Sequence, residues 1–173
     1  VLRLMGPRLV TMFFIQLIFI VRDNLASRLE AGAVTALTYG WMIFQVPETL
    51  IGTAIGTALL PTLSEQMARE EHEAFRDSIE RAVRVLVALT LPVAVILTFG
   101  LRPLLALAFG FDPAGTDLLL WVTRAYLAGL VGQSLVEVAV RSFYARQNAL
   151  TPLIAAGLTL LAYILLGSQL YRI

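Results

Sequence analysis

The stretch Val83–Leu101, VRVLVALTLPVAVILTFGL, decides the fold. From Val85 to Leu101 it carries no charged side chain and consists mostly of valine, leucine, isoleucine and alanine. A helix that crosses a bilayer needs roughly 20 mainly apolar residues, because the hydrocarbon core is about 30 Å thick and each residue advances about 1.5 Å. This stretch meets that requirement, with Pro92 inside it. Working outward, further windows of the same kind appear at about Leu9–Ser27, Val34–Leu60, Asp117–Val140 and Leu150–Leu170. The segment of about residues 61–82 is instead polar and charged, and Phe75, Ile79 and Val83 recur in it at helical spacing, the pattern of an amphipathic helix lying along the membrane surface. Pro103–Phe109 is too short to cross and reads as interfacial. The expectation is therefore an all-α, polytopic transmembrane bundle of about five spans forming one domain over residues 1–173.

Composition agrees. Of 173 residues, 58% are hydrophobic and 14% charged, whereas soluble domains carry nearer a quarter charged residues. The net charge is +1 and all 13 basic residues are arginine, with no basic stripe of the kind that binds nucleic acid. Without cysteine there is no disulfide, thiolate nucleophile or thiolate-bound metal. No grouping of residues reads as an enzyme active site, a metal centre or a cofactor site. The arginines of short loops mark the cytoplasmic side. Arg3, Arg8, Arg69, Arg76, Arg81, Arg84, Arg141 and Arg146 fall on one face of a five-span arrangement, against Arg28, Arg102 and Arg172 on the other, so the start of the chain is expected in the cytoplasm. The chain opens on Val1 with no signal-peptide pattern, and it reads as a piece of a longer protein.

Ionisable groups inside the spans carry the functional reading, because each costs roughly 2.5–3.5 kcal/mol to insert and so tends to face a bundle interior or a pathway. In the first span Gln16, Asp23 and Ser27 share one side, with Arg22 pointing about 100° away from Asp23. Arg22 is the candidate for an anionic group and Asp23 for a cation. The alternative is that both reach the nearby interface. In the second span Pro47 predicts a kink, and Glu48 follows it beside Gln45. Carbonyls freed at such a break can join a carboxylate in holding a cation or a substrate group. Protonation of Glu48, or its pairing with an arginine, is the structural alternative. Gly52 and Gly56 form a small-residue pair suited to close helix packing. Arg124 in the fourth span is a candidate for ligand contact or for anchoring. Glu137 and Arg141, four residues apart, can pair, as can Asp77 with Arg81 and Glu80 with Arg84. Tyr39, Trp41, Trp121 and Tyr126 read as packing or interface aromatics.

The runs GTAIGTALLPTLS (Gly52–Ser64), EEHEAFRDSIERAVRVLVALTLP (Glu70–Pro92) and RSFYARQNALTP (Arg141–Pro152), with Gln16–Leu29, resemble the MurJ/MviN family of lipid II flippases. That family lies within the superfamily of multidrug and lipid-linked oligosaccharide exporters. Its members have about fourteen helices, and this chain looks like the seventh to the eleventh. The resemblance implies a bacterial cytoplasmic membrane protein in which two lobes alternate around a cationic cavity. They would move an undecaprenyl-pyrophosphate-linked precursor between leaflets, with membrane lipid and the remaining helices of the transporter as partners. With that function, the polar residues of the spans read as substrate contacts at Arg22, Arg124, Gln45 and Glu48 and as a site for a coupling cation, sodium or proton, at Asp23 or Glu48, Asp23 lying within one residue of an acidic position that the family associates with sodium. One departure stands out: where the family often has Tyr-Ala-Asp-Arg on its eighth helix, this chain has Tyr39, Gly40, Trp41 and Met42, so that motif's arginine is not carried over. The departure leaves open an exporter of a different polyprenyl-linked glycan or a drug, and the polar loop from Glu65 to Arg84 leaves open a transport-inactive scaffold for cell-wall synthesis.

Overall fold

A computed structural model describes residues 2–29 and 31–170. Glu30 and Arg172, and the side chains of Arg3 and Arg8, lie outside the described residues. The described chain is helical throughout, in the order α1 (Leu2–Ala26), α2 (Ala33–Pro47), a π-helical segment (Glu48–Thr53), α3 (Ala54–Ala68), α4 (His72–Phe109), α5 (Pro113–Ala128), α6 (Leu130–Ala145) and α7 (Leu150–Leu170). Helices are the natural outcome in lipid, where every backbone N–H and C=O must find its partner within the protein. Four helical stretches are long and apolar enough to cross a membrane, and a fifth crossing results if α5 and α6, bent by 43°, are one broken span.

The chain forms two compact units. In the first, residues 1–34 and 146–173, α1 and α7 pack on each other. They run parallel: a Cβ at Gly157 would lie 3.4 Å from the Phe14 ring, and one at Gly167 would lie 2.8 Å from Leu25. First and fifth spans of an odd-numbered set run the same way, so this pairing suits the five-span count. Asn148 starts α7, its Oδ1 accepting from the N–H groups of Leu150 and Thr151 at 3.1 Å, which satisfies two of the donors that a helix start leaves without partners.

The second unit, residues 35–145, holds the broken second span, α4, α5 and α6. Its core lies in three layers. Leu101, Leu105, Leu119 and Leu120 join α4 to α5. Phe44, Leu127 and Leu130 close the middle under Trp41 and Tyr126. Ala82, Leu86 and Val138 pack with Ile55 and Leu59. Gly40 lets α2 approach α5 closely, since a Cβ there would sit 2.9 Å from Val122 and 3.4 Å from Tyr126. The turn from α3 to α4 is held by Gln66 Nε2 donating to Ser78 Oγ at 2.9 Å, with Leu63 and Phe75 buried beside it.

Three features differ from the sequence reading. The expected surface segment divides, its first part ending α3, while its part from His72 onward, the third span and Pro103–Phe109 are one uninterrupted helix, α4, of 38 residues and so about 57 Å long. Its charged first turns therefore project beyond the hydrocarbon core as a continuation of the span, and Pro92 and Pro103 lie within it without ending it. The fourth span breaks at Gly129, where the helix loses the residue type that resists bending. Its two halves, 16 residues each, are about 24 Å apiece and individually short of a crossing. Finally, Glu80 pairs with Arg76 at 2.8 Å and Arg69 with Glu65 at 2.6 Å, so the surface pairs are shifted from the expected Glu80–Arg84 register.

Gly40→Ala in the full-length protein is expected to lower thermal stability in detergent by about 1–3 kcal/mol, the usual cost of overpacking. Gly100→Ala, with nothing within 4 Å of the added carbon, is expected to raise it by up to about 1 kcal/mol through helix propensity. Melting curves of the two variants side by side check the opposite signs.

Candidate functional site

Polar groups in the spans gather where the second span departs from α-helical geometry. Proline at 47 has no N–H to give the preceding turn and its ring crowds the carbonyl four residues back. The chain responds with the wider π-helical turn of Glu48–Thr53, in which the Ala54 N–H reaches the Thr49 carbonyl five residues earlier. Such turns are rare and cluster at functional positions. The kink expected at Pro47 is thus a change of helical register, and Glu48 stands at its start.

Glu48 is 8% exposed. Thr53 Oγ1 donates to its Oε1 at 3.1 Å, and Thr49 Oγ1 makes a longer contact to Oε2 at 3.5 Å. Across from it runs α6. A Cβ at Gly52 would lie 2.8 Å from Ser134 Oγ and 3.2 Å from Ser134 Cα, and a Cβ at Gly56 would lie 3.5 Å from the Glu137 carbonyl and 3.6 Å from Arg141 Nε. The two glycines therefore seat α6 directly on the backbone of the second span. That contact brings Glu137 and Arg141, joined as an ion pair with both side chains half-buried, against the second span at Gly56. Ser134 is fully buried, and its hydroxyl has no hydrogen-bond partner in the described structure.

The remaining candidates are placed separately. Arg22 and Asp23, in the other unit, bond each other: Nε and Nη2 of Arg22 donate to Asp23 Oδ1 at 2.9 and 2.8 Å, and the guanidinium lies 5.0 Å from the Phe19 ring centre. The side chains thus converge although their Cα–Cβ directions diverge along α1, because the long arginine stem reaches back to its neighbour. Arg22 is the more buried partner and Asp23 remains about half exposed. Arg124 donates from Nε to the Thr98 carbonyl of α4 at 2.9 Å and covers the Trp121 ring at 5.7 Å. That carbonyl neighbours the Phe99 carbonyl, whose helical donor would be the N–H that Pro103 lacks, so Arg124 ties α5 to α4 where α4 is weakest. Gln45 is exposed on α2. Tyr39 packs on Phe109 and Phe111, and Trp41 on Phe44 and Tyr126. Among the described residues no three His, Cys, Asp or Glu side chains group to hold a metal ion.

Of these, sequence reasoning identified Glu48, Gly52 and Gly56 and expected Glu137 and Arg141 to pair, as they do, but it assigned no role to Ser134 and did not place the pair against the second span. The available signal was the acid and base four residues apart in an otherwise apolar helix; that they lie against Gly56 follows only from packing.

The family model described as lipid II flippase MurJ matches residues 1–172. A lipid II flippase MurJ of Burkholderia cenocepacia is 35% identical over 161 residues, 91% of this chain and 31% of that protein. A probable lipid II flippase MurJ of Rhizobium meliloti is 30% identical over 168 residues, 95% of this chain and 31% of that protein. One from Vibrio cholerae is 28% identical over 152 residues, 86% and 29% respectively. The chain thus spans about a third of the length of these relatives. No solved structure matches it.

Gly52→Ala is expected to destabilise the full-length protein by about 1–3 kcal/mol, because α6 must move away from the new methyl group. Ser134→Gly, harmful alone, should recover part of that loss in the double variant. A double-mutant cycle on melting temperature checks the coupling, and strict additivity would mean that the two positions do not touch.

Proposed function

The chain belongs to the lipid II flippase MurJ family, and on that premise we propose that it forms the central part of a transporter that flips lipid II across the bacterial cytoplasmic membrane. The observation that carries this reading is the match over residues 1–172 together with helices of membrane-crossing length. In this reading the protein is a carrier and not a catalyst. Its work is to offer charge to a pyrophosphate headgroup from alternating sides while the lipid tail stays in hydrocarbon.

Arg22 supplies that charge in the first unit. Its pairing with Asp23 supports a switch in which the substrate anion displaces the carboxylate, a planar guanidinium being suited to either partner. Asp23, once released, becomes available to a coupling cation, sodium or proton. Glu48, whose carboxylate is surrounded by hydroxyls, offers the hard oxygen donors that such a cation takes. Arg124 acts in this scheme by holding α5 on α4, so its loss would act through the shape of the lobe. The break at Gly129 and the π-helical turn at Glu48–Thr53 are the points where the unit can flex.

Reconstitution of the full-length protein into vesicles with a labelled undecaprenyl-pyrophosphate-linked substrate tests the reading. Alanine at Arg22, Asp23 or Glu48 is expected to slow transfer at least about tenfold, the effect of losing roughly 1.4 kcal/mol of differential interaction. Leu158→Ala, on an exposed apolar face, should leave it unchanged. Wild-type rates in all three charge variants would refute the assignment.

A further inference from the structure

Helix α4 commits one side to the core and leaves the other open. Phe75, Leu86, Thr90 and Leu101 are buried along it, while Val85, Leu89, Leu91, Val95, Ile96 and Phe99 remain 45–77% exposed. An exposed arginine stands at each end of this apolar stretch, Arg84 before its first residue and Arg102 after its last. Eighteen residues separate the two, about five turns of an ideal helix, so they share one side at a spacing of about 27 Å. The hydrocarbon core of a bilayer is about 30 Å thick. The open side therefore has the charge spacing of a lipid-facing surface, with a guanidinium at each headgroup layer, whereas a neighbouring helix would impose no such spacing.

The two ends are not alike. Arg102 is neutralised by Asp117 of α5, its Nη2 donating at 2.8 Å. At the other end Arg84 is joined by Arg81, one turn earlier and also exposed. The acids spaced to pair with these two, Asp77 and Glu80, do not take them. Glu80 is bound by Arg76 at 2.8 Å, and among the described residues no carboxylate bonds Arg81 or Arg84. Side chains three apart on a helix have Cβ atoms roughly 5–6 Å apart. Two guanidiniums at that separation can both donate to one phosphate, for which their planar donor pairs are suited. Directly beyond them begins the open apolar side of α4.

We propose that Arg81 and Arg84 hold the phosphate of an anionic phospholipid in the leaflet nearest the α3–α4 turn, with the lipid's chains laid on Ala88, Leu91 and Val95. The arginine bias of the loops makes that leaflet the cytoplasmic one. Charge selects the occupant: two guanidiniums without carboxylates favour a phosphate that brings no cationic headgroup of its own. Arg102, cancelled by Asp117, gives the opposite end no such preference. The site uses none of the groups assigned to transport, Arg22, Asp23, Glu48 and Arg124, and its occupancy can be read with no lipid-linked substrate present.

Native mass spectrometry of the full-length protein, titrated with phosphatidylglycerol or phosphatidylcholine, counts bound lipids and ranks their affinities. Wild type is expected to bind its first phosphatidylglycerol more tightly than its first phosphatidylcholine. Arg81→Gln and Arg84→Gln should each weaken that first binding about fivefold, roughly the worth of one basic side chain beside an anionic headgroup. Arg76→Gln should not, since its guanidinium is already taken by Glu80 and lies about two turns before Arg84. In vesicles, Val95→Trp should add fluorescence that phosphatidylcholine brominated on its chains quenches. Equal affinity for the two lipids in wild type, or unchanged affinity when both arginines are replaced by glutamine, would overturn the proposal. So would an unquenched Val95→Trp, which would mean that another segment of the full-length protein covers this side of α4. Displacement of the bound phosphatidylglycerol by an equal concentration of undecaprenyl pyrophosphate would overturn it too, by making the site one for substrate.

Discussion

Residue 52 has no side chain, and that allows α6 to rest on the backbone of the second span at Ser134. A single methyl group there would meet the serine at 2.8 Å, below any ordinary contact distance. In a membrane, where lipid tails are as apolar as leucine, helices gain little by merely burying hydrocarbon against one another. Close approach and polar contacts decide the arrangement instead. From this one contact follows the position of Gly56 against Glu137 and Arg141.

Proline at 47 has a complementary effect. It interrupts the helix one residue before the carboxylate, and the chain absorbs the interruption in a π-helical turn. Residues four apart share a helix face, and Glu48 and Gly52 are the buried residues of this turn. Gly129 works similarly in the fourth span, where a 43° bend lets α5 serve the layer with Leu101 and Leu105 while α6 serves the layer with Leu86. Both breaks lie in the same unit.

The first unit handles charge more simply. Arg22 and Asp23 satisfy each other on consecutive residues, so α1 and α7 associate through an aromatic ring on Gly157 and a leucine on Gly167 without further polar contact being needed at those points. This pair lies on one helix with Asp23 about half exposed, whereas the polar groups around Glu48 and Ser134 come from two separate elements.

What the sequence determined by itself was whatever depends on neighbours along the chain: apolar runs of crossing length, the arginine bias of the loops, the interruption at Pro47 and the four-residue spacing of Glu137 and Arg141. Each reflects a local physical rule of hydration, backbone geometry or helical periodicity. Periodicity could not show that α4 runs unbroken through its charged start, because an amphipathic segment continues a helix as readily as it lies on a surface. It could not show that Arg22 turns back to Asp23 or that Arg124 spends its Nε donor on a carbonyl of α4, because long side chains choose partners from everything within reach. Above all, the seating of Gly52 and Gly56 against Ser134, Glu137 and Arg141 joins positions far apart in the chain. Only the packing of α6 against a glycine surface decided it, since helix contact is a property of neighbours in space.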